Sequence, residues 1–326
     1  AGVAALFYQS VGGRGKLSAA NPAAVAHRRI VQSGAVVRHA NWTDAEGTTG
    51  QQGAGLVDAL KVVSARTSIV PPIINLNDTA NFVASHTITI ENTDDIEFIY
   101  NLTHLHAPTV LSRGQGDAYI DGAPNLRTDN DLLATVKLSE SIVTIPAKGS
   151  ATVQITFTEP AGLDEKYLAQ YGGDIHVIGD NGDTVKVTYN GICGFLKAAQ
   201  SWELQHGVPA FYDTNDKTFR EGTVLGFPTL PKLHFNVLCT PLTPDANNWA
   251  GSTKWINPTM GTAGPFPSYL QPRSTEIFLF TLEDTYSTGG SVEPDEYRIL
   301  ARALSNYGDY NNIEDWQIRV SNMFVV

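Results

Sequence analysis

Ile175-His-Val-Ile-Gly-Asp-Asn-Gly-Asp-Thr-Val-Lys-Val-Thr-Tyr189 is the stretch that decides the fold class. Ile175 and Val177 on one side, and Val185, Val187 and Tyr189 on the other, alternate with polar residues at a period of 2. That is the period of a half-buried strand. Between them, Asp180-Asn-Gly-Asp183 predicts a hairpin turn, because Asn and Gly tolerate the left-handed backbone that a tight reversal needs. Outward from this hairpin the pattern recurs. Val153, Ile155 and Phe157 share one face, with Thr152, Gln154 and Thr156 on the other. Ile88 goes with Ile90, and Ile96, Phe98, Tyr100 and Leu102 form the longest run. Turn-separated strands with no helical pattern between them predict an antiparallel sandwich over residues 67–197.

The flanks differ. Residues 198–228 lack clear periodicity and read as a connection or insertion. Residues 229–326 form a second strand-rich block, with strands expected at 233–238, 276–282, 296–304 and 316–326, hence a second β-sandwich. Before the first sandwich, residues 1–66 read as helical. Ala1-Gly-Val-Ala-Ala-Leu-Phe-Tyr8 is apolar all round, the pattern of a helix buried on every side. Asn21-Pro22 supplies an N-cap and a proline at the first helical position, and Gly34 a stop. A third short helix is expected over 56–65, after Gly53-Ala-Gly55. Val70-Pro71-Pro72 ends the helical pattern. The fold class is therefore mainly β: two antiparallel sandwiches preceded by a short helical segment.

Composition narrows the function. Among 326 residues, 22 Lys and Arg face 33 Asp and Glu, a net charge of −11. Neutralising phosphates takes clustered basic residues, so nucleic acid is excluded as a partner. No apolar run approaches the ~20 residues that span a bilayer. Charged residues are 17% of the chain, against about 25% in an average soluble protein, which describes a polar but weakly charged surface. Three sequons, Asn41-Trp-Thr43, Asn77-Asp-Thr79 and Asn101-Leu-Thr103, make Asn41, Asn77 and Asn101 candidate N-glycosylation sites. They favour a secreted or cell-wall-associated protein. Cys193 and Cys239 could form one disulfide or remain two buried thiols, and the sequence leaves both open.

No catalytic constellation is visible. His104 and His106 are spaced to share a strand face, but no third metal ligand accompanies them. Their even numbers match Phe98, Tyr100 and Leu102, so simple alternation turns them inward unless a bulge at Pro108 intervenes. Asp129-Asn-Asp131, Asp180 to Asp183 and Asp213-Thr-Asn-Asp216 are turn chemistry and lack the ligand pattern of a calcium loop. Neither a Gly-x-Ser-x-Gly elbow nor a phosphate-binding loop occurs, and no cofactor is implied. The 240–273 loop carries Trp249, Trp255, Phe266 and Tyr269 and is a candidate carbohydrate contact. A non-catalytic extracellular binding or adhesion protein is thus one reading.

The other reading rests on a resemblance. Ala1-Gly-Val-Ala-Ala-Leu-Phe7 resembles the helix that continues the Gly-Thr-Ser-Met-Ala-x-Pro nucleophile motif of subtilisin-like serine proteases. Asn21-Pro22 through Ala35 is similar to that family's next surface helix. Gln52-Gly-Ala-Gly-Leu-Val-Asp-Ala59 is similar to the motif opening the last helix of its catalytic domain. Tyr171-Gly-Gly-Asp-Ile175 and Val187-Thr-Tyr-Asn-Gly-Ile192 resemble the end of the fibronectin type III-like domain that follows it in large secreted subtilases. Tyr297-Arg-Ile-Leu-Ala-Arg-Ala-Leu304 and 316–324 look like the closing strands of another such domain, as in fungal members. The resemblance implies the C-terminal portion of a serine endopeptidase, acting on proteins or peptides, with residues 1–66 the end of its catalytic domain. It also implies a partner, the N-terminal catalytic segment of the same protein. The aspartate, histidine and serine motifs and the oxyanion asparagine would lie upstream of Ala1. No catalytic residue is therefore assigned here, and the chain alone is expected to be inactive. Calcium would belong to the intact parent, with no site assignable in this chain.

Overall fold

Alternation along the strands closes two sheets face to face in a computed structural model. It describes residues 1–17, 21–38, 47–113, 120–199, 210–212, 223–224, 232–235, 278–281, 296–297, 300–309, 311–320 and 324–325. Asn41, Cys239, Asp213-Thr-Asn-Asp216 and the 240–273 loop lie outside the described residues. The chain is mainly β with a few short helices. It divides into two units, Ala1–Ser112 with Ala123–Gly194, and Arg113–Gly122 with Phe195–Val326.

In the first unit, one sheet is antiparallel. Its order is β1 (Thr67–Val70), β3 (Ser85–Asn92), β8 (Ser150–Thr158) and β6 (Thr135–Leu138). The second runs β2 (Ile73–Asp78), β10 (Thr184–Cys193), β9 (Ala169–Gly179), β4 (Phe98–Arg113) and β5 (Ile120–Arg127), with β7 (Ile142–Ile145) also paired to β4. β9 and β10 form the hairpin read from the sequence, with Val185 opposite Val177 and Val187 opposite Ile175. Gly182 takes the positive φ of 84° that the reversal needs. β2 differs from its neighbours in lying parallel to β10. The chain passes from β1 in one sheet to β2 in the other through Pro71-Pro72.

The core lies between the sheets. Ile88, Ile90, Val153, Ile155 and Phe157 face Tyr100, Leu102, Ile175, Val177, Val187 and Tyr189, all buried. Each such side chain contributes roughly 1.5–3 kcal/mol by leaving water. Ile96 does not join them. It sits in the bend before β4 and is exposed, so the inward face of that run starts at Phe98.

Residues 1–66 form α1 (Gly2–Ser10), α2 (Pro22–Gln32), α3 (Thr49–Gln52) and α4 (Ala59–Ser64). Asn21 caps α2, its side-chain oxygen accepting from the amides of Ala23 and Ala24 at 3.1 and 3.2 Å. The third expected helix is shorter than its pattern. Asp58 caps α4, whereas Leu56 is held in a β-bridge to Ala35. Thr48 caps the additional turn α3. α1 is not buried on every side. Phe7 is buried with Ala26 and Val62, but Ala5 and Leu6 are exposed, because α2 and α4 wall only one flank.

The described strands of the second unit form three small sheets. β11 (Ala210–Tyr212), β13 (Lys232–Phe235) and β14 (Phe278–Thr281) make one. β12 (Thr223–Val224), β18 (Phe324–Val325) and β15 (Glu296–Tyr297) make another. β16 (Leu300–Leu304) and β17 (Trp316–Val320) pair alone. β11 and β12 fall within 198–228, where the sequence pattern marks no strand.

Candidate functional site

The functional surface with most structure built into it is the seat of residues 1–66 on the sandwich. β1 is an edge strand, and an edge exposes unpaired carbonyls that invite another strand. Here α2 covers it with side chains. Arg29 Nη1 donates to the carbonyls of Ala65 and Thr67, each at 2.8 Å, and Gln32 Nε2 donates to the carbonyl of Ile69. Arg28 adds an ion pair to Glu91 at 3.7 Å. The hairpin tip reinforces the junction. Oδ2 of Asp183 accepts from the amides of Arg66 and Thr67 at 2.7 and 2.8 Å and from the Thr67 hydroxyl at 2.7 Å.

The outer face of the second sheet carries the rest of the seat. α3 packs on β9 and β10, and α2 on β10. Contact is close enough that a Cβ at Gly172 would lie 2.4 Å from the Thr49 hydroxyl oxygen. On this face Lys186 Nζ and Asp174 Oδ2 form a buried ion pair at 2.6 Å, and Thr188 donates to Asp174 Oδ1 at 2.6 Å. An outward-facing ion pair stays dry only under a cover. His176 is the fourth polar group here, its Nε2 buried without a hydrogen bond. Burial lowers its pKa foremost, and the positive charge of Lys186 adds to that, while Asp174 opposes it.

Of the paired histidines, His104 is half-buried against the core, whereas His106 is exposed, so the inward turn that alternation predicts holds for only one of them. His104 Nε2 lies 2.8 Å from the Tyr189 hydroxyl, and the His104 and His106 rings stack edge-on with centroids 4.1 Å apart. The register between β4 and β9 shifts between Ala107 and Val110, a bulge placed after the histidines rather than before them. Burial, then the positive charges that His106 and His176 would carry, push the pKa of His104 down from 6.5 to about 4. His104 is therefore a neutral ring, and its tautomer sets which partner donates in the bond to the Tyr189 hydroxyl. Among the described residues, no three His, Cys, Asp or Glu side chains are grouped to hold a metal ion. No described helix is long and apolar enough to cross a membrane.

The other candidates are spread out. Asn77 is exposed at φ 60°, its carboxamide donating to the Asn81 carbonyl at 3.3 Å. Asn101 is exposed near the start of β4. The buried Cys193 thiol lies 3.9 Å from the Leu163 carbonyl, and burial raises its pKa. Asp183 and the Asp174–Lys186 pair escaped the sequence reading, since turn chemistry and strand alternation explain those residues without any partner.

Residues 74–189 match the family model of an Fn3-like domain, which spans β2 to β10. No curated protein matches the chain. Among solved structures, a PapD-like domain of human CEP192 is 15% identical over 39% of this chain and 84% of that one, with a TM-score of 0.30. The CsuC–CsuE chaperone–tip subunit complex of Acinetobacter baumannii is 8% identical over 79% and 98%, with a TM-score of 0.26. The CupB2 chaperone of Pseudomonas aeruginosa is 13% identical over 52% and 92%, with a TM-score of 0.25.

Proposed function

We propose that this chain is the C-terminal part of a secreted subtilisin-like serine endopeptidase, with residues 1–66 closing the catalytic domain. The observation that carries the reading is the two-sided character of that segment. One side is bonded to the sandwich through Arg29, Gln32 and α3. The other leaves Leu6, Leu56 and Leu60 more than half exposed. Short helices gain nothing from leucines in water, whereas a larger α/β domain would take them up. The Fn3-like match at 74–189 supports the same reading, because such a domain follows the catalytic one in the subtilases that the chain resembles.

The parent would cleave peptide bonds by acyl transfer to its serine, with a histidine base and an oxyanion hole. This chain contributes no reacting group. Its role is to complete the fold around the nucleophile helix, brace it from the sandwich and shape access for protein substrates. The sequence immediately upstream of Ala1 tests the reading. A Gly-Thr-Ser-Met-Ala-x-Pro motif is expected there, and the extended protein should hydrolyse casein and be blocked by a serine-directed fluorophosphonate. An unrelated upstream sequence, or inhibitor-sensitive hydrolysis by residues 1–326 alone, overturns it.

A further inference from the structure

We infer that Asn101 carries an N-linked glycan whose first N-acetylglucosamine covers an exposed aliphatic face of the second sheet. Tyr100 and Leu102 are buried in the core, so Asn101 between them points outward, and Thr103 shares its face. The register places Asn101 directly opposite Ile142 on β7 and Ile178 on β9. Directly opposed side chains have Cβ atoms about 4.5–5.5 Å apart. Ile99, two residues back along β4, lies on the same face. These three isoleucines are 50% (Ile99), 62% (Ile142) and 41% (Ile178) exposed, on a face where antiparallel sheets normally alternate to polar residues. What distinguishes this patch is that a sequon, Asn101-Leu-Thr103, stands at its centre.

The chemistry fits the surroundings. A pyranose presents C–H groups on one face, and the acetamido group adds a methyl, so the first sugar can lie on aliphatic neighbours while its hydroxyls meet water. The carboxamide nitrogen of Asn101 would attack the anomeric carbon of a lipid-pyrophosphate-linked oligosaccharide. The N–C bond forms, the C–O bond to the pyrophosphate breaks, the lipid pyrophosphate leaves and the amide proton passes to a base. Attachment precedes folding, because β4 is paired on both sides at this residue. Asn77 lacks this setting. Its carboxamide bonds Asn81, and the Thr79 hydroxyl donates to Glu159 and accepts from the Gly194 amide.

The inference rests on the passage through the secretory pathway that the proposed function entails. The test therefore supplies that passage, with the full chain carrying Asn41→Gln and Asn77→Gln expressed behind a cleavable leader in a eukaryotic host. Peptide mass spectrometry should find the Asn101 peptide glycosylated, retained in Thr103→Ser and lost in Thr103→Ala. On the glycosylated protein, trimming to a single N-acetylglucosamine should leave bis-ANS binding low. Complete enzymatic removal should raise it about twofold, as the isoleucines are uncovered. An unmodified Asn101 in the exported chain overturns the inference, and so does equal dye binding with and without the sugar. Retention of the native protein inside its own cells would instead count against secretion and leave the site's competence standing.

Discussion

A single buried ion pair sets the largest residue-scale expectation. Lys186 and Asp174 are charged, dry and 2.6 Å apart, so removing one partner leaves the other charge without its match. Lys186→Met should destabilise the first unit by about 3–5 kcal/mol, read as a lowered urea midpoint. Replacing both, as Lys186→Met with Asp174→Leu, should recover most of that loss, because two apolar side chains need no solvation. A double mutant no more stable than the single would remove the ion pair from the explanation. His104 gives a prediction in pH. Its folded pKa of about 4 lies below the ordinary 6.5, so the folded chain keeps it neutral where the unfolded chain would protonate it. The stability this contributes is complete above pH 6.5 and is lost as pH falls towards 4. An imidazole titration followed by NMR should find its midpoint near 4, and His104→Gln should flatten the acid limb of the stability curve. A midpoint near 6.5 would contradict the burial against Tyr189.

Two glycines two residues apart, Gly53 and Gly55, separate backbone strain from packing at the scale of an element. Gly55 has a φ of 91°, and a Cβ there would lie 2.1 Å from the Ala35 carbonyl oxygen. Gly53 also has a positive φ, 56°, but an added Cβ meets nothing within 4 Å. Gly53→Ala should cost only the conformational term, about 1–3 kcal/mol, since φ 56° with ψ −125° is a sparsely populated backbone region. Gly55→Ala should in addition break the Ala35–Leu56 bridge, whose two hydrogen bonds measure 2.7 and 2.8 Å. Hydrogen exchange at the Ala35 and Leu56 amides should accelerate sharply in Gly55→Ala and stay near wild type in Gly53→Ala. Elements whose signal is local were legible in the sequence: the cap at Asn21, the turn at Asp180 to Asp183, the alternation through Tyr189. The seat of residues 1–66 was not. Arg29 and Gln32 read as ordinary polar positions of a surface helix, and only the chain's return from residue 65 onward gives them carbonyls to bond. The stretch from Leu56 to Ala65 reads as one helix, yet Asp58 is itself a capping residue and places the start of α4 after Leu56.

The molecule as a whole is mainly β in both units, as the period-2 pattern requires, while β11 and β12, of three and two residues, are too short to carry a period. Sheet membership, too, is set by tertiary pairing rather than by local pattern. Nothing in Ile73 to Asp78 announces that this strand leaves the sheet of β1 and runs parallel to β10. That direction has a mechanical consequence. A pull applied at Pro72 and at Gly194 draws β2 and β10 oppositely along their common axis. The ladder from Ile73–Thr188 to Asp78–Ile192 is then loaded in shear, all its bonds resisting together, whereas an antiparallel pair pulled at one end would unzip bond by bond. Single-molecule stretching between those two points should meet one high force peak before the sandwich extends, and Val187→Pro, next to the ladder, should lower it. Tension that enters through β2 and leaves through β10 thus meets the sandwich along the direction in which this ladder is hardest to break.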